Sequence, residues 1–307
     1  MREKIIVFGS CAVDLMSRAP HLPVPGETVK GSRFVQGPGG KGFNQAIAAH
    51  KAGGDVTMIT KLGRDALSQV PLGVMDSLGM PKDFLFYDDE ASTGVALIMV
   101  DENSSQNQIV IVPGACCTIN DEDIAKAASQ IRASRYVLLQ LEINQDANEK
   151  AARLAKESGC RVVINTAPCQ PVSDEFLQGA YLVTPNEVEA RELTGIEVTD
   201  LQSADRAAQV LFDRGVENVL ITLGSRGVYL NTGGRSEILP AYRVDAVDTT
   251  GAGDAFNGGL LAALAEGMDL HQAARFANAL AALSVQRVGA AASMPTRAEI
   301  DGFLSEH

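Results

Sequence analysis

The stretch DTTGAGDAF, residues 248–256, sets an aspartate beside two glycines at the head of an apolar run, NGGLLAALAEG. Gly251 and Gly253 carry no side chain, so near a helix N-terminus the amides around Ala252 and Gly253 stand open to an anion. The partial positive charge of that helix end favours the same negative group. In phosphoryl transfer these donors would stabilise oxygens of the moving group, and Asp254 would take the proton of the attacking hydroxyl. The helix end also favours the ionised aspartate, which does not by itself make a strong base. A hydroxyl held in direct contact, with late proton transfer, reconciles the two. An ordinary turn followed by an acidic helix start accounts for the same letters.

A second glycine cluster, GPGGKGFNQ at 37–45, also precedes a helix. Gly39, Gly40 and Gly42 would let backbone amides approach ligand hydroxyls, and Asn44 offers both a donor and an acceptor. Lys41 sits within this candidate substrate loop. A close strand-to-helix turn is the plain alternative. Asp14 follows the first strand by four residues, where it is either a loop cap or a carboxylate that takes a pair of sugar hydroxyls at the strand ends. LITLGSRG ends a strand at Thr222 and opens into Gly224 and Gly227, a compact loop for a ribose or phosphate, or a plain hairpin turn. TPNEVEARE places Asn186 and Glu189 three apart at a helix start, on one face. They would hold magnesium or its waters beside phosphate, although helix capping explains them almost as well.

Other chemistries find little support. The lysine of GGKG is followed by glycine, so the loop is not a Walker A motif, and GSCAVD lacks the dinucleotide fingerprint. No G-x-S-x-G elbow occurs, and His21, His50, His271 and His307 lack metal-ligand spacing. The formal charge of −12 and the absence of a basic run argue against nucleic acid. Five irregularly spaced cysteines fit reduced thiols, and no segment approaches a membrane span. The first strand begins after four residues without a long apolar leader, so a cytoplasmic location is expected.

The elements that must position these residues follow a strand–helix rhythm. KIIVFG, NQAIAAHKAGG and VTMITKLG read as strand, helix and strand. A helix near 65–79 is followed by TGVALIMVD and NQIVIVPG, two alternating segments that read as a hairpin. Three helix-then-strand units and YLVTPNEVEARELTG continue the rhythm, and three helices close the chain, the first from about Asp254. The expected fold is one α/β domain over 1–307: a central, mostly parallel sheet flanked by helices. Insertions at about 11–37 and 90–112 would form a small β-sheet lid, or pair with another subunit.

GGKGFNQA near the start and DTTGAGDAFNGG near the end resemble the two signatures of the ribokinase-like, PfkB-type carbohydrate kinases, and GSCAVDL, STGVALI, TPNEVEA and ITLGSRG extend the resemblance along the whole chain. It is strongest to the ribokinase branch. The resemblance implies ATP-dependent phosphorylation of the primary 5-hydroxyl of D-ribose, giving D-ribose 5-phosphate and ADP. It assigns Asp254 as base, Gly251, Ala252 and Gly253 as anion hole, and Asp14, Gly40, Asn44 and Glu142 as sugar contacts. Asn186, Glu189, Thr222, Gly224 and Gly227 match nucleotide, phosphate or Mg2+ contacts, and Asn278 falls near the adenine. Asp248, Thr250, Ser284, Arg287, Gly289 and Ser293 match a K+ site, several through carbonyls. The lid would also form a homodimer contact.

Three departures bear on the substrate. Ala12 stands where some members have asparagine, Phe43 adds bulk beside the pocket, and Thr166 replaces a common proline. With DENSSQNQIVIVPGA similar to deoxyribokinase-like relatives, a 2-deoxyribose kinase or another pentose or nucleoside kinase is the alternative. A non-catalytic sugar sensor is the alternative from a different class.

Overall fold

The computed structural model describes residues 2–104 and 106–307. The chain runs β1 (Lys4–Phe8), β2 (Ala12–Ala19), β3 (Arg33–Gly39), α1 (Lys41–Lys51), β4 (Asp55–Gly63), α2 (Gln69–Leu78), β5 (Leu85–Asp88), β6 (Gly94–Asp101) and β7 (Asn107–Val112). Then come α3 (Asp121–Arg132), β8 (Tyr136–Leu139), α4 (Gln145–Glu157), β9 (Arg161–Ile164), α5 (Asp174–Leu177), β10 (Leu182–Val183), α6 (Glu187–Thr194) and α7 (Leu201–Asp213). The last third holds β11 (Val219–Thr222), β12 (Val228–Asn231), β13 (Ser236–Leu239), α8 (Ala252–Ala265), α9 (Leu270–Ser284) and α10 (Arg297–Glu306).

The large sheet has the order β13-β12-β11-β10-β9-β8-β1-β4-β5. Its strands are parallel from β11 to β5, with β12 and β13 antiparallel at the far edge. Side chains alternate between its faces, so β1 feeds two cores: Ile5 and Val7 join one, Ile6 and Phe8 the other. The sheet is buried on both faces, as a helix-covered parallel sheet requires. The hairpin of β6 and β7 forms as its alternation predicts, and joins β2 and β3 in a second sheet of order β3-β2-β6-β7. This smaller sheet is the lid.

Reading along the sequence overlooks three strands, β5, β12 and β13. Each has four residues, and each lies at or next to a sheet edge. β12 and β13 also break the strand–helix rhythm by pairing as hairpins.

Two helices set the geometry of the site. α8 is buried nearly all round, which suits its apolar sequence. It lies close against α1 because Gly258 has no side chain: a Cβ there would fall 2.4 Å from the Ala48 Cβ and 2.6 Å from the Gln45 carbonyl oxygen. That approach brings the first turn of α8 to the first turn of α1.

Candidate active site

Asp254, in the first turn of α8, is only 7% exposed. Its Oδ2 accepts a hydrogen bond from Asn44 Nδ2 at 3.0 Å and its Oδ1 one from Gln45 Nε2 at 2.9 Å, both donors coming from α1. Burial pushes its pKa up to about 6, against the opposing effects of the Lys41 charge and the two amide hydrogen bonds, with the Glu142 charge adding to the rise. Burial thus works against the helix end, which by itself favours the ionised form. Desolvation outweighs the favourable contacts and leaves a carboxylate poised near neutrality.

A closed ring of amides and a hydroxyl ties this carboxylate to its own loop. Gln45 Nε2 also donates to Asn165 Oδ1 (3.0 Å), and Asn165 Nδ2 donates to the Thr184 carbonyl (3.0 Å). The Thr184 hydroxyl donates to Asn257 Oδ1 (2.6 Å), and Asn257 Nδ2 returns to the Gly253 carbonyl (2.9 Å). Gln140 Nε2 holds the Gln45 oxygen at 2.7 Å. Sequence reasoning missed Gln45, Gln140, Asn165, Thr184 and Asn257. Their one available signal was the presence of polar side chains in otherwise apolar runs, such as QAIAA and VVINTA.

Gly251 caps α8 with φ 75°, and a Cβ there would fall 2.8 Å from that of Ala290. The Ala252 N–H donates to the Thr249 carbonyl at 3.2 Å, so this expected anion donor has an internal partner. Above Gly253 there is open space: beyond its chain neighbours and its own helix, no atom of the described residues lies within 4 Å of where its Cβ would be. Gly251, Ala252, Gly253 and Asp254 line a cavity of about 190 Å3 together with Lys41, Asn165, Thr184, Asn186, Glu189, Thr222 and Asn257.

Beside it, under the lid, lies a cavity of about 430 Å3. Its polar side is Ser10, Asp14, Gly40 and Glu142, and its apolar side includes Val95, Ile98, Ile109 and Ile111 of the lid. Asp14 stands on the lid strand β2, while Glu142 follows β8 of the main sheet. Burial, then the charges of Glu142 and Asp254, raises the Asp14 pKa to about 6. Glu142 Oε2 accepts from the Ser10 hydroxyl (2.6 Å) and from the Lys41 N–H (2.8 Å), fixing the start of α1. Gly39 leaves room for the Asp14 carboxylate: a Cβ there would fall 2.2 Å from Asp14 Oδ1, and the carboxylate would have to move aside. Asn44 presents a buried Oδ1 without a partner among the described residues, an available acceptor beside Asp254.

On the other side of the anion loop is a cavity of about 350 Å3, lined by Asn186, Thr222, Gly224, Gly227, Ala252, Gly253, Phe256 and Asn278 among others. Gly227, at φ 101°, makes the β11–β12 turn, where a Cβ would meet the Leu239 carbonyl at 2.0 Å. Thr222 and Gly224 therefore belong both to a hairpin and to a cavity wall, so the two sequence readings of this loop coexist. Asn186 and Glu189 form a reciprocal capping box on α6: Asn186 Oδ1 accepts from the Glu189 N–H (2.9 Å) and Glu189 Oε2 from the Asn186 N–H (2.9 Å). Capping and cavity lining again coincide.

Behind the anion loop, two segments are zipped together. The amides of Val247 and Asp248 both donate to the Val285 carbonyl, at 2.8 and 3.0 Å. Asp248 Oδ1 accepts from Thr250 N–H and Oδ2 from Gly289 N–H, each at 2.9 Å. Burial acts to raise the Asp248 pKa, but these hydrogen bonds prevail and hold it below the usual value. Ser284 and Ser293 turn their hydroxyls to the Ala281 and Ala290 carbonyls, and Arg287 pairs with Glu299. The carbonyls of Thr250, Arg287 and Gly289 accept no hydrogen bond among the described residues, which suits a monovalent cation. Among the same residues no cluster of three His, Cys, Asp or Glu side chains could hold a metal ion.

One expectation is corrected. Phe43 does not add bulk beside the pocket, because its side chain is fully buried in the core with Ala46 and Ile47. α1 begins at Lys41, and its helical phase turns Phe43 inward while Asn44 faces Asp254. Ala12 does line the 430 Å3 cavity, and Thr166 is buried.

Known proteins share this arrangement throughout the chain. A family model described as pfkB family carbohydrate kinase matches residues 2–297. Ribokinase of Haemophilus influenzae is 41% identical over 307 residues, covering 100% of both chains. Deoxyribokinase of Salmonella typhimurium is 35% identical over 302 residues, 98% of each. A solved structure of Arabidopsis thaliana ribokinase complexed with ribose and ATP superposes with a TM-score of 0.92 at 31% identity, covering 99% of each chain. The matched span, the paired glycine motifs and the lidded α/β fold place the chain in the pfkB family of carbohydrate kinases.

Proposed function

We propose that the enzyme transfers the γ-phosphoryl group of ATP to the primary 5-hydroxyl of D-ribose, yielding D-ribose 5-phosphate and ADP. The observation that carries this reading is the position of Asp254. At the head of α8 it lines the 190 Å3 cavity, which shares Asn186, Thr222, Ala252 and Gly253 with the glycine-lined cavity and adjoins the lidded one through the neighbours Gly40 and Lys41. Ribose rests against Asp14, Gly39, Gly40, Lys41, Asn44 and Glu142. Asp254 accepts the 5-hydroxyl proton through the carboxylate that Asn44 and Gln45 orient. Backbone amides at Gly251–Gly253 and the end of α8 take up charge on the transferring group. The nucleotide lies along Thr222, Gly224 and Gly227, with adenine toward Asn278.

Magnesium fits beside Asn186 and Glu189 through its waters, because both Glu189 oxygens are engaged by Asn186. It would neutralise phosphate charge. Potassium fits at Asp248, Thr250, Ser284, Arg287, Gly289 and Ser293, several acting through carbonyls, and those of Thr250, Arg287 and Gly289 accept no hydrogen bond among the described residues. The chain acts as one α/β domain whose lid comes from segments near 11–37 and 90–112. The exposed apolar residues on the lid face turned away from the lidded cavity, Phe34, Leu97 and Val110, suit a homodimer contact. A cytoplasmic enzyme acting on a free pentose is the setting this implies.

A 2-deoxyribose kinase is the second reading, favoured by the Ala12 methyl at the cavity wall, which supplies no hydrogen bond to a sugar hydroxyl. Comparing kcat/KM for ribose, 2-deoxyribose and other pentoses and nucleosides decides between them. Ribose is expected to lead; a preference for 2-deoxyribose would overturn the first reading. Asp254→Asn is expected to lower kcat by about 10²- to 10⁴-fold. A folded variant with full phosphorylation rate would refute the base, and sugar binding without ATP turnover in the unmodified protein would point to a sensor.

A further inference from the structure

The 430 Å3 cavity has a wall that the carbohydrate reading leaves unused. A single 3-10 turn, Gly114–Cys117, presents two adjacent thiols to it: Cys116, buried, and Cys117, half-buried. The Cys116 thiol points at the Pro113 carbonyl, 3.0 Å away, and its sulfur lies 3.9 Å from the Glu142 carbonyl oxygen. The Cys117 sulfur lies 3.5 Å from that same oxygen. Both sulfurs thus converge on the backbone of the residue whose carboxylate holds Ser10 and Lys41.

The turn is anchored at both ends. The Ala115 N–H donates to the Ser92 carbonyl (2.8 Å), and the Thr118 hydroxyl to Asp88 (2.6 Å). The buried Lys61 ammonium donates to the Thr118 carbonyl (3.0 Å) while paired with Asp123 (3.0 Å). The two thiols are therefore fixed side by side. Cys11 and Cys160 are buried and do not line the cavity, and Cys169 is exposed.

We propose that Cys116 and Cys117 form a dithiol site, opening into the sugar cavity, for thiophilic trivalent arsenic. Soft sulfur ligands suit such a centre. With an organic arsenoxide, two As–S bonds form, the arsenic–oxygen bond breaks, and the oxygen leaves as water with the two thiol protons. No oxidant or reductant is needed. The bound arsenic occupies space beside Glu142, so adduct and sugar exclude one another; this last consequence rests on the sugar-site reading above.

The test uses phenylarsine oxide on the full-length protein carrying Cys169→Ser, with intact-mass and peptide mass spectrometry. One adduct per chain is expected, mapped to Cys116 and Cys117, reversed by dimercaptopropanol and accompanied by loss of phosphorylation. Cys117→Ser and Cys116→Ala should each weaken retention by roughly 100-fold, the gain of two-point attachment. D-ribose at ten times its KM should slow modification about tenfold. An adduct at another cysteine, no adduct on the folded protein, or equal retention by either single-thiol variant would overturn the dithiol site. A mapped dithiol adduct that ribose does not slow upholds the dithiol site and overturns the placement of the sugar.

Discussion

Replacing Asp254 with asparagine should slow turnover by the factor given above and at the same time make the protein more stable at neutral pH. The folded-state pKa of Asp254, about 6, lies above its ordinary value of 3.8 because the carboxylate is buried. Between those values the folded chain binds more protons than the unfolded chain, so this group's contribution to stability falls as pH rises through the window. A shift of that size corresponds to about 3 kcal/mol above pH 6, of which about 2 kcal/mol develops between pH 4 and pH 6. Asparagine avoids the burial of charge. It also fits the hydrogen bonds: Gln45 can still donate to its oxygen, and Asn44, whose Oδ1 has no partner among the described residues, can turn over to accept from its new N–H. The assay is denaturant or thermal unfolding of both proteins from pH 4 to pH 8. The variant should gain roughly 5 °C at pH 8 and little at pH 4. If the two stability curves run parallel across that range, the Asp254 carboxylate is not strained by burial, and the account of its basicity fails.

Three further outcomes test other parts of the site. Gln45→Leu removes one hydrogen bond from the ionised carboxylate, so the acid limb of kcat/KM should move about one to two pH units upward, the equivalent of the ~1.5–3 kcal/mol of a hydrogen bond to a charged group. An unmoved limb with reduced folding stability would make Gln45 merely structural. Gly39→Ala drives a methyl into Asp14, so KM for the sugar should rise at least roughly tenfold with a smaller change in the KM for ATP; equal changes would count against the sugar contact. Potassium titrated into a sodium-free magnesium buffer should raise the rate, and Asp248→Ala should blunt the response by unzipping the two loops; a flat titration would remove the cation site.

The glycine signals were legible because they mark backbone that side chains would obstruct. Gly251 and Gly227 have positive φ, and Gly39 faces a carboxylate. The two short antiparallel strands β12 and β13 were not, since four residues carry too little periodicity to separate strand from loop. Phe43 misled because a glycine-rich frame suggests a loop, whereas the helix already begins at Lys41 and its phase decides which neighbour enters the core. The amide ring was hidden for a different reason. Gln45 and Asp254 are 209 positions apart, Gln45 and Asn165 are 120 apart, and Thr184 and Asn257 are 73 apart, so their partnership exists only once α1, β9, β10 and α8 converge. A lone polar residue in an apolar run says that a partner is required, not where it comes from.

The placement of Asp14 on the lid and of Glu142 and Asp254 on the body brings acids of the two sheets close enough to feel one another. Burial and those neighbouring charges together hold the Asp14 pKa at about 6, so the proton affinity of this one carboxyl depends on how near the small sheet stands to the large one. Were the two sheets further apart, both causes would weaken and Asp14 would fall back toward the ordinary carboxylate range. The small sheet thus carries, in a single titrating group, a gauge of its own distance from the body.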